Sequence, residues 1–347
     1  MKTNNNSWIN RQFQTLKTKS SNFYQRRLIT KDKRVILYGK MGGFLGLVLK
    51  YFLLYALAFI ILYPLIQQFA VALRHPKDIN DPLVLWIPNE FSLLNFKVAF
   101  IVLDYGKSLL NSLVLSIGVT LLQLFVCALA GYSFARLKFK GQKLLFGLVL
   151  ATIVIAPTTI ELPLKNSLIN FLGTGKNLIG KPFVLYMFAF LGLGVKAGIF
   201  IYLFRQFFKN VPKELEESAY IDGCNPIQTF FRVMLPNAKG AIILTVILTF
   251  VWTWNDTYYI SNFVTTANFD FNTLTTKIMG VRNSIVYALQ TANVWQLFDS
   301  NVNENPLFTS MILNTAAILT MIPLIIIYFL VQKALFTEGV ERSGIVG

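Results

Sequence analysis

Residues 211–240, VPKELEESAYIDGCNPIQTFFRVMLPNAKG, carry the densest grouping of chemically capable side chains in this chain. Glu214, Glu216 and Glu217 fall within one helical turn, and Asp222-Gly223 follows. Catalysis or metal binding there would need partners that the rest of the chain does not supply. His75 is the single histidine, which cannot build a zinc site alone. Cys127 lies inside an apolar run and Cys224 in this polar segment, so neither a disulfide framework nor metal-ligand spacing exists. Gly173-Thr174-Gly175-Lys176 approaches a phosphate loop, but Asn170 and Asn177 stand where the first Gly and the Ser/Thr are required. No catalytic residue, metal or cofactor is expected. The chemistry left to the segment is recognition.

Local signals shape that segment. Pro212 suits a first helical position, where its missing N–H is not needed. The glutamates follow where the helix dipole favours negative charge. Leu215, Ala219 and Cys224 form a narrow apolar stripe, and Asp222-Gly223 breaks the helix because Gly tolerates positive φ. Asn225-Pro226 restarts a second helix as N-cap and N1. It presents Phe230, Phe231, Val233 and Met234 and ends at Leu235-Pro236. The pattern predicts a helix–turn–helix lying along a membrane face, with an acidic leading end.

The rest of the chain is built to sit in lipid. Of 347 residues, 54% are hydrophobic and only 14% charged, with 31 Phe and a mean hydropathy of +0.55. A soluble domain carries about 25% charged residues. Six segments approach the roughly 20 apolar residues a span needs: 44–71, 108–133, 144–164, 183–206, 239–262 and 309–332. All are expected to be helices, because lipid satisfies no open sheet edge. The first run begins too late and runs too long for a cleavable signal peptide. The fold class is an all-α polytopic membrane protein with six spans and a helical segment on its cytoplasmic face.

The net charge of +16 separates by side. Basic residues crowd the tail, with Arg26, Arg27, Lys31, Lys33 and Arg34 among them. They crowd again at Arg136/Lys138/Lys140/Lys143, at Arg205/Lys209/Lys213/Arg232/Lys239 and at Lys333/Arg342. The alternate loops, 72–107 and 263–308 included, are longer and more thinly basic, which places both termini in the cytoplasm. A nucleic-acid partner is not expected, since the long apolar runs leave no soluble basic domain. The tail either lies on anionic headgroups or is solvated and only sets orientation. Of the two long outer loops, 72–107, with Pro76, Pro82, Trp86 and Pro88, reads as an irregular or partly ordered cap, and 263–308, with Asn268, Asn272, Asn301, Asn303 and Asn305, reads as a polar loop. They either meet a substrate-delivering partner or merely connect spans.

Ionisable residues within a span mark pathways by default. Lys196 falls mid-span between Gly194 and Gly198, lining a cavity or snorkelling. Glu161, beside Pro157 and Pro163, faces a cavity or pairs with a neighbouring base. Trp252, Trp254, Asn255, Asp256, Tyr258 and Tyr259 form an aromatic-polar band near the outer end of the fifth span. It suits sugar rings, and an interfacial aromatic belt explains the same residues.

Residues 211–237 resemble the EAA loop of type I ABC importer permeases. That pattern is Glu-Ala-Ala, three residues, Gly, nine residues, Ile, one residue, Leu-Pro. Here it reads Glu217-Ser218-Ala219, Gly223, Val233 and Leu235-Pro236, with every spacing kept. Asn111-Ser112-Leu113, Leu129-Ala130-Gly131-Tyr132, Ala135-Arg136-Leu137, Phe139-Lys140-Gly141, Trp254-Asn255-Asp256 and the Gln332-Lys333…Gly347 ending are similar to the sugar-uptake branch that includes the maltose permease subunits. The likeness covers about residues 44–347. It implies a transmembrane domain 44–335 and a tail 336–347, while the basic extension 1–43 and the lengthened loop 263–308 depart from the family. It implies a non-catalytic subunit of the bacterial inner membrane, heterodimeric with a second homologous permease and served by two ATP-binding subunits and an extracytoplasmic solute-binding protein. On the same resemblance, residues 211–237 form a coupling helix seated in an ATPase cleft. Glu214, Glu217, Ser218, Ala219, Asp222, Gly223, Val233, Leu235 and Pro236 would make that contact; the in-span charges and the aromatic-polar band make Glu161, Lys196, Trp254, Asn255, Asp256 and Tyr258 the candidates to border the pathway. The solute implied is a carbohydrate, an oligosaccharide in its finer form, and a non-sugar solute through the same machinery is the alternative. A secondary transporter would predict no fixed-spacing dock and more charges within spans. An intramembrane enzyme would need convergent catalytic groups.

Overall fold

The computed structural model describes the backbone of Thr15 and of residues 31–80, 88–264, 271–294 and 306–343, with the side chains of these outside 31–42, 79–80 and 333–343. Most of the N-terminal tail, Pro82, Trp86, Asn268, Asn301, Asn303, Asn305 and the last four residues lie outside that set. The chain divides into two compact units, 1–67 and 68–347.

The first unit is dominated by α1 (Lys31–Ala72), whose last residues belong to the second. Its stretch Gly43–Ala72 is long and apolar enough to cross a membrane. Phe44, Leu45, Phe52 and Ile61 are all exposed. A continuous apolar surface of this kind is solvated by lipid or covered by a partner, not by water.

Every regular element among the described residues of the second unit is a helix, apart from a lone antiparallel bridge between Arg74 and Phe91. In order come α2 (Leu94–Val102), α3 (Tyr105–Arg136), α4 (Gln142–Val154), α5 (Pro157–Ile169), α6 (Phe183–Phe190) and α7 (Ala197–Asn210). Then follow α8 (Lys213–Ile221), α9 (Pro226–Asn237), α10 (Lys239–Trp254), α11 (Tyr258–Phe263), α12 (Leu274–Met279), α13 (Val281–Thr291) and α14 (Pro306–Ser343). The hub is α3, which packs along α6, α7 and α10. Its buried face runs Ser108, Ser112, Leu115, Ser116, Val119, Gln123, Cys127, Gly131 at helical spacing. Small residues there let backbones approach closely. A Cβ at Gly131 would collide with Phe204 Cβ and sit 3.0 Å from the Arg205 backbone nitrogen.

Among the described residues, three helices are long and apolar enough to cross a membrane: Gly43–Ala72, Tyr105–Arg136 and Pro306–Gln332. Two bent pairs raise the total among the described residues to five: α4 with α5 at 108°, and α9 with α10 at 80°. The expected first two spans match to within three residues at each end. The last lies inside a longer helix that runs on to Ser343. The third bends where Ala156 precedes Pro157 with ψ 137°, since proline pushes its predecessor out of the α region.

The fourth expected span, 183–206, is corrected by the structure. It breaks between Phe190 and Ala197, leaving pieces of 8 and 14 residues. At 1.5 Å per residue neither piece is long enough to cross alone. Gly192 (φ 73°) and Lys196 (φ 57°) both lie in the left-handed region at the break. Lys196 is therefore not mid-helix but immediately before α7. The exposed backbone is repaired from α3: Gln123 Nε2 donates to the Val195 carbonyl at 2.8 Å. A broken helix survives in lipid where neighbours satisfy its freed groups. The fifth expected span, 239–262, likewise ends at Trp254, with α11 following a short break.

Both long loops carry helices among their described residues. Loop 72–107 contains α2, which buries Asn95, Val98, Ala99 and Val102. Loop 263–308 contains α12 and α13, and α13 buries Val281, Ile285, Ala288 and Leu289. Those four positions share one helical face, and α13 packs against α2 and α14 to complete an apolar core.

Candidate functional site

The helix–turn–helix at 211–237 is built from its own caps. Pro212 is the N-cap of α8 (φ −55°, ψ 139°), one position before the helical start expected for it. Glu214 and Glu216 stand in the first turn of α8. The helix closes at Gly223, φ +81°, with Gly223 N donating to Tyr220 O at 3.1 Å and Cys224 N to Ala219 O at 2.9 Å. Asn225 then caps α9 in a reciprocal box with Gln228: Gln228 N donates to Asn225 Oδ1 at 2.8 Å, and Asn225 N to Gln228 Oε1 at 3.0 Å. Phe230–Met234 widens into a π turn just before Pro236, which has no N–H to extend the ladder.

Its anchor is Glu216, which the sequence reading left out of the site. The Tyr132 hydroxyl donates to Glu216 Oε1 at 2.9 Å, and the Tyr220 hydroxyl to the same oxygen at 3.1 Å. Arg136 Nε stands 3.4 Å from Glu216 Oε2, both side chains at most 10% exposed. A terminal nitrogen of Arg136 also donates to the Val211 carbonyl at the entry to α8. Burial pushes the Tyr220 hydroxyl above the ordinary phenol range, keeping it a donor to the carboxylate. Behind this group, Phe230 packs 5.3 Å from the Tyr132 ring and 6.2 Å from Phe208. So α8 and α9 are clamped to the end of α3 by one buried carboxylate and one aromatic trio.

The remaining side chains divide by exposure. Ala219 is buried, Val233 and Leu235 half-buried, and Glu214, Glu217, Ser218, Asp222, Gly223 and Pro236 exposed. Ile221 and Ile227 flank the Gly223 turn and are 86% and 70% exposed, forming an apolar tip that the sequence reading missed. Neither lies on the Leu215–Ala219–Cys224 stripe, so periodicity could not single them out. Leu215, on that stripe, is itself exposed.

The pathway residues do not form one site. Glu161 and Tyr258 meet: the Tyr258 hydroxyl donates to Glu161 Oε2 at 2.6 Å. Lys165 Nζ donates to Glu161 Oε1 at 2.6 Å and to Asn262 Oδ1 at 3.1 Å, tying α5 to α11. Lys196 stands elsewhere, its ammonium 5.8 Å from the Trp252 ring centre. Asn255 and Asp256 occupy the α10–α11 break, where Asn255 Nδ2 donates to Val251 O at 2.9 Å and Asp256 Oδ1 accepts from Tyr259 N at 3.2 Å. Trp254 is 2% exposed, stacked 5.7 Å from Phe250 inside the core that α2, α13 and α14 share.

Comparison with known proteins closes the question of kind. Residues 127–337 match the family described as binding-protein-dependent transport system inner membrane component. The chain is 30% identical over 169 residues to the alpha-glucoside transport system permease protein AglG of Rhizobium meliloti, covering 49% of this chain and 44% of that one. It is 26% identical over 294 residues to the arabinooligosaccharides transport system permease protein AraQ of Halalkalibacterium halodurans, covering 84% and 93%. The chain thus spans under half the length of the first relative and nearly all of the second. The fold is similar to the crystal structure of a bacterial ABC transporter involved in the import of the acidic polysaccharide alginate, at TM-score 0.61 and 20% identity, covering 83% of this chain and 96% of that one. With a family match over more than half its length and apolar helices fit to cross a bilayer several times, the chain belongs to the binding-protein-dependent transport system inner membrane components, the multi-pass permease subunits of ABC importers.

Proposed function

We propose that this permease forms half of a translocation pathway for a carbohydrate and takes its drive from a separate ATPase through residues 211–237. The observation that carries the reading is the Glu216 clamp to Tyr132 and Arg136 at the end of α3. A docked helix pair fixed in this way moves the membrane bundle when it is pushed. The exposed Glu217, Ser218, Asp222 and Gly223 and the apolar tip Ile221/Ile227 offer the surface an ATPase cleft would cover. Both termini then lie in the cytoplasm, as the charge bias favours. A second homologous permease completes the pathway, two ATP-binding subunits supply the stroke, and an extracytoplasmic binding protein delivers the solute.

Carbohydrate is favoured because AglG and AraQ are named for glycosides, and an oligosaccharide is the finer form of the proposal. Glu161, Tyr258, Lys196, Asn255 and Asp256 are the proposed pathway groups, with Trp254 supporting them from the core. The test is to purify the complex with its co-expressed partners and ask which sugars raise ATP hydrolysis. An oligosaccharide with its binding protein should do so, and Gly223→Pro should abolish the response while the chain stays inserted. Full stimulation in that variant would sink the coupling role.

A further inference from the structure

Beside the Glu216 anchor stands a second group of charges that the anchor does not use. Lys138 follows α3, Lys143 lies in the first turn of α4, Lys209 in the last turn of α7, and Lys213 opens α8. All four line one open cavity of about 570 Å3, together with Arg136 and Arg205. Glu216 and Glu217 are the only acids in its wall, and Glu216 is already held by Arg136. Among the described residues none of the four lysines has an ion-pair partner. Arg205 is fixed in the wall, with its guanidinium carbon 4.0 Å from the Phe146 ring centre and its Nε donating to Phe134 O at 3.2 Å.

Cations drawn from four separate elements onto one concavity repel each other and concentrate the field there. The arrangement is relieved by a compact anion with several strong acceptor oxygens, which is the chemistry of a phosphate group. The position narrows the source. The cavity lies where the apolar α3 ends, and the end of a membrane-crossing helix is the level at which hydrocarbon gives way to headgroups. From Lys143 onward α4 buries none of its residues, and Leu144 and Leu148 are 70% and 58% exposed along one side. A lipid could lay its acyl chains on that side with its headgroup among the lysines.

We propose that this cleft binds a phosphate group, and that the group belongs to an anionic phospholipid whose acyl chains run along α4. The site goes beyond the transport reading and does not depend on which solute is carried. Native mass spectrometry of the full-length chain in detergent tests it, with phosphatidylglycerol, phosphatidylcholine and inorganic phosphate as probes. The wild-type chain should retain phosphatidylglycerol where phosphatidylcholine is lost. Lys143→Gln and Lys209→Gln should each reduce retention roughly fivefold. The charge-preserving Lys143→Arg/Lys209→Arg pair should retain lipid, as should Lys176→Gln/Lys181→Gln, which removes equal charge from a loop outside the cleft. A large excess of inorganic phosphate distinguishes the sources: retention through it supports the lipid, and displacement by it overturns the lipid assignment in favour of a free anion. Equal retention of both lipids, or an unchanged Lys143→Gln/Lys209→Gln variant, overturns the site altogether.

Discussion

The Tyr132 hydroxyl reaches across 84 residues of sequence to donate to Glu216 at 2.9 Å. That bond joins the end of a membrane-crossing helix to the start of the proposed coupling helix, with Arg136 on the other carboxylate oxygen. Tyr132→Phe removes one donor and leaves Tyr220 and Arg136 in place, so its cost is about 1 kcal/mol. Glu216→Ala strands a buried guanidinium and costs roughly 3–5 kcal/mol. Thermal unfolding should rank the two in that order. The ratio of sugar transported to ATP hydrolysed should fall in Tyr132→Phe while the ATPase stays attached. A normal ratio would deny the clamp its part in transmission.

Gly223 adopts φ +81° with nothing within 4 Å of where a Cβ would stand, so any penalty there is backbone strain alone. Left-handed geometry costs a branched residue about 1–2 kcal/mol, whereas Asn tolerates it. Gly223→Asn should retain the ATPase on co-purification and Gly223→Val should weaken it. Equal retention would show that the turn does not shape the docking surface.

Gly131 is the reverse case, because its Cβ would meet the Phe204 side chain and the backbone of α7. Backbone cannot move aside as a flexible side chain can, so Gly131→Ala should destabilise by about 1–3 kcal/mol. Gly147→Ala, with open space around it, should be neutral or slightly stabilising. Melting temperatures of the purified chain in one detergent decide between them.

Lys196 combines strained backbone with a cation over Trp252. Lys196→Gly relieves the strain and removes the charge, while Lys196→Ala removes the charge and keeps the strain. Both should alter uptake without releasing the ATPase, and the glycine variant should be the more stable by about 1 kcal/mol. Loss of ATPase attachment in either would reassign the residue to folding.

The two cysteines report orientation. Cys127 is buried and Cys224 half-buried at the proposed coupling turn, and both are free thiols. A membrane-impermeant maleimide should label Cys224 in inside-out vesicles and leave right-side-out vesicles unlabelled, a difference that Cys224→Ser removes. Labelling from the outside would invert the topology and remove the coupling proposal with it.

Much of the architecture was readable because the signals are local. Twenty apolar residues in a row announce a helix for lipid whatever lies elsewhere, and Asn225-Pro226 and Gly223 mark a helix start and stop by their own backbone preferences. The break before Ala197 was not readable in that way. Hydropathy stays high through Leu191–Val195, and the interruption there is supported by Gln123 from α3, which lies 72 residues away in sequence. The helices at 274–291 were hidden for a related reason, since Val281, Ile285, Ala288 and Leu289 mean little until α2 and α14 stand opposite them.

Composition and local patterning determined an all-helical membrane protein with a patterned turn, because each depends only on neighbours along the chain, and the spacing from Glu217 to Pro236 carried the resemblance to importer permeases. Which of the three glutamates would be the buried anchor was a matter for the tertiary structure alone. Glu214, Glu216 and Glu217 are chemically alike, and a carboxylate is buried only where packing brings donors to meet it. Tyr132 and Arg136 arrive beside Glu216 from a distant helix, and that meeting left Glu217 free to face outward.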